Sequence, residues 1–490
     1  MTAMHPRPSL LGPALLAALL CLVPVRARAQ AEPSGHDDEA FDVMNVLAKN
    51  GLHDLTDERW NAYGQFTWIS SLKAPFHAAY TNLGGSTNSL TPVTETSFTG
   101  TLTLYLGARL WPGAEIYEVP EIIAEKPLSH LAGLGGVIQN FELQKTGART
   151  PSLYNSRVYL RQTIELGGES SVRSSDPMQL GRRLDRRRLV LTAGNFSILD
   201  FVDKNSFAGD LRKEFFNMAF LTYAAYDFAA DARGYAWGGV AEIYYDDWAL
   251  RAGRITPPKD PNQLAVDFRI GKYYGDQVEL EHSHKVLGNA GAVRVLAYRN
   301  RENMGRFADA SAAYRSDSTK NAAACTSFNY GSENPTAPDL CWVRRPSVKV
   351  GVGINVEQRL GPDVGVFFRG MVSDGQTEVY SFTSTDSSMS FGTIVKGSPW
   401  LRPADSAGVG YGQGWISDAH ADYLNRGGVD GFIGDGKIDH ASEHVVEVFY
   451  SYAVASWLSV SLDFQHIWNP AYNADRGPVD IFGARMHAEF

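Results

Sequence analysis

The last nine residues read FGARMHAEF (482–490), and they alternate. Phe482, Ala484, Met486, Ala488 and Phe490 fall on one face, and Gly483, Arg485, His487 and Glu489 on the other. A period of two is a strand signal, because successive side chains point to opposite faces of a sheet. An apolar face backed by a polar one, ending on an aromatic, suits a strand standing between lipid and a watery lumen. Soluble domains also end on strands, so the rest of the chain must carry the reading.

The same pattern runs back through the sequence. In Phe98–Leu110, the residues Phe98, Leu102, Leu104, Leu106 and Leu110 alternate with Thr99, Thr101, Thr103, Tyr105 and Arg109. That length crosses a hydrocarbon layer at the usual strand tilt. Val158–Leu166, Val348–Val356 and Trp457–Phe464 repeat the alternation. Weaker strands read at Trp60–Ser70, Glu115–Ile123, Leu189–Phe196, Gly239–Tyr245, Trp248–Arg254, Val266–Ile270, Gln277–His282, Val293–Arg299, Val364–Val372 and Val445–Tyr452. With the terminal strand these make fifteen segments. Bacterial barrels prefer even numbers, so sixteen strands are expected, with eighteen the alternative. Gly361-Pro362-Asp363 reads as a tight turn, whereas 72–94, 300–343 and 373–443 read as long loops rich in Gly, Ser and Asp. Short turns on one side and long loops on the other fit a transmembrane antiparallel β-barrel.

The amino-terminal end agrees. Arg7, the apolar run Leu10–Val25 and Ala27-Arg28-Ala29 read as a secretory signal peptide over 1–29, cut after Ala29. An uncleaved anchor is the competing reading. Residues 30–59 form a segment before the barrel, with a helix expected at Asp38–Leu47 from the spacing of Phe41, Met44 and Leu47. The barrel itself is expected over 60–490. No later stretch is apolar enough for a transmembrane helix. The mean hydropathy of −0.22 looks soluble only because half of each strand is polar. The 22 Tyr, 24 Phe and 10 Trp supply interfacial girdles. Net charge is −9, and removing Arg7, Arg26 and Arg28 with no acids makes it −12, which excludes a nucleic-acid partner. Cys325 and Cys341, in or beside the polar stretch Ser311–Pro338, are an even pair in an oxidising compartment, so a disulfide is expected, with two free thiols the alternative.

Four stretches carry a resemblance. GARLWPGAEIYEVPEI (107–122), RVYLRQTIELGGE (157–169), YDFAADARGYAWGGVAE (226–242) and NPAYNADRGPVDIFGARMHAEF (469–490) resemble the carbohydrate-selective porins, the OprB-like family. The similarity runs from about residue 60 to the end. It implies a sixteen-stranded outer-membrane barrel that passes sugars by diffusion through a narrowed polar pore. The chain departs from the family over 129–146, where Gly135-Gly136-Val137-Ile138-Gln139-Asn140-Phe141-Glu142 replaces a Gly-rich stretch ending in Pro-Asn-Gly-Glu. That departure bears on sugar preference.

Sugars are neutral rings crowded with hydroxyls. A pore that favours them needs forked donors, carboxylate acceptors and aromatic faces. Strand parity points Arg109, Arg157 and Arg161 inward, with Tyr105 and Tyr159 beside them. Glu115, Tyr117 and Glu121 share one face of the next strand, and Glu242 comes from mid-chain. Asp227 and Arg233 sit in the Arg-Gly-Tyr segment, placed near an inward-folded part of the pore. Each could instead be an ion pair bracing the barrel wall.

Other readings are weaker. A general, non-selective porin is the nearest alternative. A polysaccharide export barrel would need a strongly cationic lumen, and this one mixes acids with its arginines. An outer-membrane enzyme would need a Ser–His pair on the lipid face, yet Ser459 and Ser461 have lumen parity while His466 does not. No metal or cofactor is expected, because the pairs His282–His284 and His440–His444 have no third ligand at a usual spacing, and Asp430, Asp435 and Asp439 do not fit a calcium loop. The run Arg182–Arg188 suits either lipopolysaccharide phosphates or a solvated turn. The expected partners are carbohydrate solutes and outer-membrane lipid, with monomer and homotrimer both open.

Overall fold

The computed structural model describes residues 42–143 and 148–490. The expected leader and the first residues of the Asp38–Leu47 helix lie outside the described residues. The helix seen spans Val43–Lys49, capped by Asp42, whose carboxylate accepts the Asn45 amide N–H at 2.7 Å. Its buried Met44 packs with Tyr63, Tyr105 and Val119, all inward-facing barrel residues.

The strands, in chain order, are β1 (Trp60–Lys73), β2 (Glu95–Trp111), β3 (Ala114–Lys126), β4 (Ser152–Glu165), β5 (Ser170–Arg173), β6 (Arg182–Asp185), β7 (Arg188–Phe196), β8 (Ala236–Tyr245) and β9 (Trp248–Ile255). They continue as β10 (Tyr274–Val286), β11 (Asn289–Met304), β12 (Arg345–Arg359), β13 (Val364–Ser373), β14 (Ser387–Lys396), β15 (Ser406–Trp415), β16 (Glu443–Ala455), β17 (Leu458–Trp468) and β18 (Val479–Glu489). All but β5 and β6, which form a separate hairpin, make a closed barrel of sixteen strands. Each pairs antiparallel with its neighbours, and β18 returns to β1 with Gln65 opposite Glu489 and Lys73 opposite Ile481. Phe490 finishes the seam. Its N–H donates to the Gly64 carbonyl at 2.8 Å, and the Gly64 N–H donates to the Phe490 carbonyl at 2.6 Å. Closure leaves no free edge, which a membrane demands.

The strand count of sixteen is right, but two expectations need correction. Val266–Ile270 is not a strand. Its backbone bonds within its own loop, as when the Asp267 N–H donates to the Pro257 carbonyl at 2.8 Å. The stretch 373–443 is not one loop either, since it contains β14 and β15. These two were hidden by their Gly and Ser, and their glycines have a packing cause. A Cβ on Gly408 would lie 2.3 Å from the Phe449 ring, and one on Gly410 would lie 2.6 Å from the Phe220 ring.

Burial is inverted relative to a soluble protein. On β2, Thr103 is fully buried while its neighbour Leu104 is 42% exposed. The apolar side faces lipid and the polar side faces the lumen. Exposed Trp60, Trp111, Trp248 and Trp457 ring the end with short turns, such as Pro112–Gly113 and Leu287–Gly288. Trp237, Trp342 and Trp468 lie at the opposite end, which carries the long loops. Amphipathic rings settle at membrane interfaces in this way.

One long loop, 197–235, does not stay outside. It lines the inner wall and packs Phe215 against Phe367 and Phe449 at ring separations of 5.5 and 5.0 Å. Wall residues satisfy its backbone. The buried Arg369 donates to the Phe220 carbonyl at 2.7 Å and to Asp203 Oδ1 at 2.9 Å. Glu447 accepts the Phe216 and Asn217 amides at 2.6 and 3.0 Å. Arg485 donates to the Glu214 carbonyl at 2.8 Å. Residues 127–143 enter beside it, where Glu443 accepts the Gly136 N–H at 2.8 Å. Outside, Cys325 and Cys341 are joined in a disulfide within the loop between β11 and β12.

Candidate functional site

The inward loops leave several chambers in the lumen, and two of them are stacked and share lining residues. The outer chamber holds about 250 Å³ and the inner, near the short turns, about 450 Å³. Asp200 and Lys204 line both, so the chambers meet at these two side chains. Arg157 reaches them from β4. Its Nε and one terminal nitrogen donate to the two Asp200 carboxylate oxygens, each at 2.7 Å. This fork is the strong, orienting form of an arginine–carboxylate pair.

Local chemistry sets the neck. Ser197 caps a single helical turn, Ile198–Asp200, with Asp200 bonding back to the Ser197 N–H at 3.2 Å. That turn aims the Asp200 carboxylate at β4. Burial pushes the Asp200 carboxyl up, but the Arg157 charge and its bonds outweigh this and hold it below the ordinary carboxylate range. Burial lowers the Lys204 ammonium from its ordinary value, with Asp200 opposing.

The outer chamber has aromatic walls, with Phe141, Phe228, Tyr235 and Phe382 among them. The Arg157 guanidinium lies 5.2 Å from the Tyr235 ring, and Arg233 lies 4.1 Å from the Tyr154 ring. Arg212, from the inward loop, donates to Glu121 at 3.0 Å and pairs with Glu142. Glu142 belongs to the segment in which the chain departs from the OprB-like pattern, so that departure reaches the outer chamber. In the inner chamber, Arg161 lies 5.0 and 5.4 Å from the Tyr117 and Tyr159 rings.

Seven of the ten residues singled out in sequence line these chambers. Glu115, Tyr159, Arg161 and Glu242 face the inner one, and Glu121, Arg157 and Arg233 the outer one. Three stand elsewhere. Arg109 pairs with Asp57 at 2.6 Å on the short-turn rim. Tyr117 is buried and bonds Glu115 at 2.8 Å and the Leu180 N–H at 3.0 Å. Asp227 is buried, accepts the Tyr380, Ser381 and Phe382 amides and pairs with Lys349 at 2.9 Å. The arginine run lies at the short-turn end, where Arg186 and Arg187 pair with Asp247 and Asp246.

Sequence reasoning missed Asp200, Lys204 and Arg212. One signal pointed to them: the gap between the strands at 189–196 and 239–245 is far longer than a turn needs, and is rich in apolar and aromatic residues. Arg251, Glu281 and Arg294 were also missed, although they sit at inward positions of strands that were recognised.

Residues 77–490 match the carbohydrate-selective porin, OprB family. The chain belongs to that family. It is therefore an outer-membrane porin selective for carbohydrates, and the sixteen-stranded barrel agrees. The high-pH structure of Pseudomonas putida OprB shares this OprB fold at a TM-score of 0.65 and 15% identity, covering 93% of this chain and 100% of that one. The low-pH structure of the same protein aligns at a TM-score of 0.45 and 13% identity, covering 91% and 98%. The outer membrane channel DcaP of Acinetobacter baumannii aligns at a TM-score of 0.45 and 9% identity, covering 88% and 97%. No curated protein matches the chain.

Proposed function

We propose that monosaccharides such as glucose diffuse passively into the periplasm through the neck between the two chambers. The observation that carries this is the convergence of Arg157, Asp200 and Lys204 where the chambers meet, with the Tyr235 ring 5.2 Å from the guanidinium. A forked donor, an acceptor and an aromatic face are the groups a sugar ring requires. Arg161, Tyr159, Glu115 and Glu242 continue the track inward, and Glu121 and Arg233 precede it. Tyr117 and Asp227 brace the wall, and Arg109 braces the rim. Binding is weak by design, since a site that holds its solute cannot conduct. The protein acts as a channel with no catalytic step. It reaches the membrane behind a leader cleaved after Ala29, and its apolar wall faces lipid or a second copy.

Liposome swelling with purified protein tests this, comparing glucose, a longer oligosaccharide and an amino acid of similar size to glucose. Glucose should enter much faster than the amino acid. Equal rates for solutes of equal size would make it a general pore, and the absence of swelling would overturn the diffusion reading.

A further inference from the structure

The inner chamber carries more positive charge than its carboxylates balance. Each of its acids is already taken. Glu115 pairs with Arg182 at 3.2 Å, and Glu242 with Arg251 at 3.3 Å. Glu281 pairs with Arg251 at 3.0 Å and Arg294 at 2.7 Å, and Asp200 is held by Arg157. Four further cations line the same space: Arg161, Arg173, Arg188 and Lys204. None has a carboxylate among the described residues within 4.0 Å.

What the three arginines touch instead is neutral. Arg161 donates to the Met178 carbonyl at 3.0 Å and the Tyr159 hydroxyl at 3.3 Å. Arg173 donates to the Gln179 side-chain oxygen at 2.6 Å. Arg188 donates to the Asp185 carbonyl at 3.0 Å and lies 3.9 Å from the Tyr244 ring. Such partners orient a guanidinium without placing a carboxylate in contact with it. Among the described residues the outer chamber differs, because Glu121, Glu142, Asp200 and Asp210 there match Arg157, Lys204, Arg212 and Arg233 in number. The whole chain has a net charge of −9, so composition does not produce the excess. A charged cleft with low-dielectric walls focuses its field and concentrates counter-ions.

We infer that the inner chamber favours sugars bearing a carboxylate, such as hexuronates, over neutral sugars of the same size. The inference rests on the sugar-pore reading of the same lumen and adds a substrate class to it. The carboxylate would meet an arginine fork, which binds it in two parallel hydrogen bonds, while the ring hydroxyls keep the partners a neutral sugar uses.

Purified full-length protein in planar bilayers tests this, with galacturonate and galactose as probes. In a potassium chloride gradient the reversal potential should show chloride more permeant than potassium. Galacturonate should reduce the ion current at several-fold lower concentration than galactose, and 1 M salt should shrink that gap through screening. The double variant Arg173→Gln, Arg188→Gln should bring the two sugars together, whereas Arg345→Gln, at the exposed outer end of β12, should leave the gap intact. Equal action of the two sugars on the unmodified protein, or a potassium-selective pore, would overturn the inference. Liposome swelling keeps the two readings apart. If galactose enters and galacturonate shows no advantage, only the acidic-sugar inference falls; if neither enters, the sugar-pore reading falls first.

Discussion

Arg157 on β4 and Asp200 on the inward loop share two bonds of 2.7 Å, and the pair stands where the two lumen chambers meet. A barrel strand and a folded-in loop thus form the neck together. Lys204 lines the same junction.

Asp200→Ala should open this neck. The Arg157 fork loses its acceptor, and the Ile198–Asp200 turn loses the bond that aims it. We expect longer oligosaccharides to enter faster relative to glucose, which liposome swelling with a size series reads directly. An unchanged size dependence would place the narrowest point elsewhere.

Arg369→Ala should release the inward loop. The variant leaves Asp203 without its guanidinium and the Phe220 carbonyl without a donor, both buried. Breaking a buried pair from one side costs about 3–5 kcal/mol. Single-channel conductance should rise and urea resistance should fall. Loss of stability at unchanged conductance would mean that the loop holds its place without this anchor.

His420 gives the outer loops a pH dependence. It lies in the helix Asp418–Asn425, stacks 4.1 Å from Phe307, and has Asp386 and Asp430 each 3.2 Å from its ring nitrogens. Burial pushes the imidazolium down, but the two carboxylates outweigh it and raise the group to about 9. A group raised in the folded state stabilises fully below its unfolded value near 6.5 and loses that contribution as pH climbs through about 9. The shift corresponds to something on the order of 3 kcal/mol. The Asp386 carboxyl moves the other way: burial raises it, His420 overrides this and holds it low, so its share disappears on acidification. Protease should therefore cut the 416–442 loop faster at pH 10 than at pH 7, and His420→Gln should abolish the difference. A loop equally resistant at both values in the unmodified protein would refute the assignment.

Gly64 and Phe490 should behave as one unit. A Cβ on Gly64 would lie 2.3 Å from the Phe490 ring. Overpacking of this kind costs roughly 1–3 kcal/mol. Gly64→Ala should slow refolding into detergent micelles, and adding Phe490→Ala should recover part of the loss. Strictly additive effects of the two changes would show that they do not interact.

Much of the barrel was legible in the sequence, because the membrane imposes period-two alternation wherever one strand face meets lipid and the other meets water. Phe98–Leu110 and the closing strand could be read on that ground alone. By parity, Arg157, Arg161, Tyr159, Glu115 and Glu242 could be turned toward the lumen without coordinates. Parity could not say which inward residues meet open space. Tyr117 faces inward from β3 but is covered where the Leu180 N–H meets its hydroxyl, and Asp227 lies on the inward loop with its carboxylate turned to Lys349 of the wall. β15 read as a loop because Gly408, Gly410 and Gly412 carry no apolar side chain, yet their emptiness makes room for Ala219, Phe220 and Phe215 from a segment nearly two hundred residues away. The neck itself was decided by tertiary structure alone. Asp200 and Lys204 belong to no periodic element, and only the fold of loop 197–235 against the wall carries them to Arg157. The sequence by itself determined the wall, since each strand responds to lipid and water locally. The tertiary structure decided how the lumen is divided, since its two stacked chambers meet at a contact between segments that have no local reason to meet.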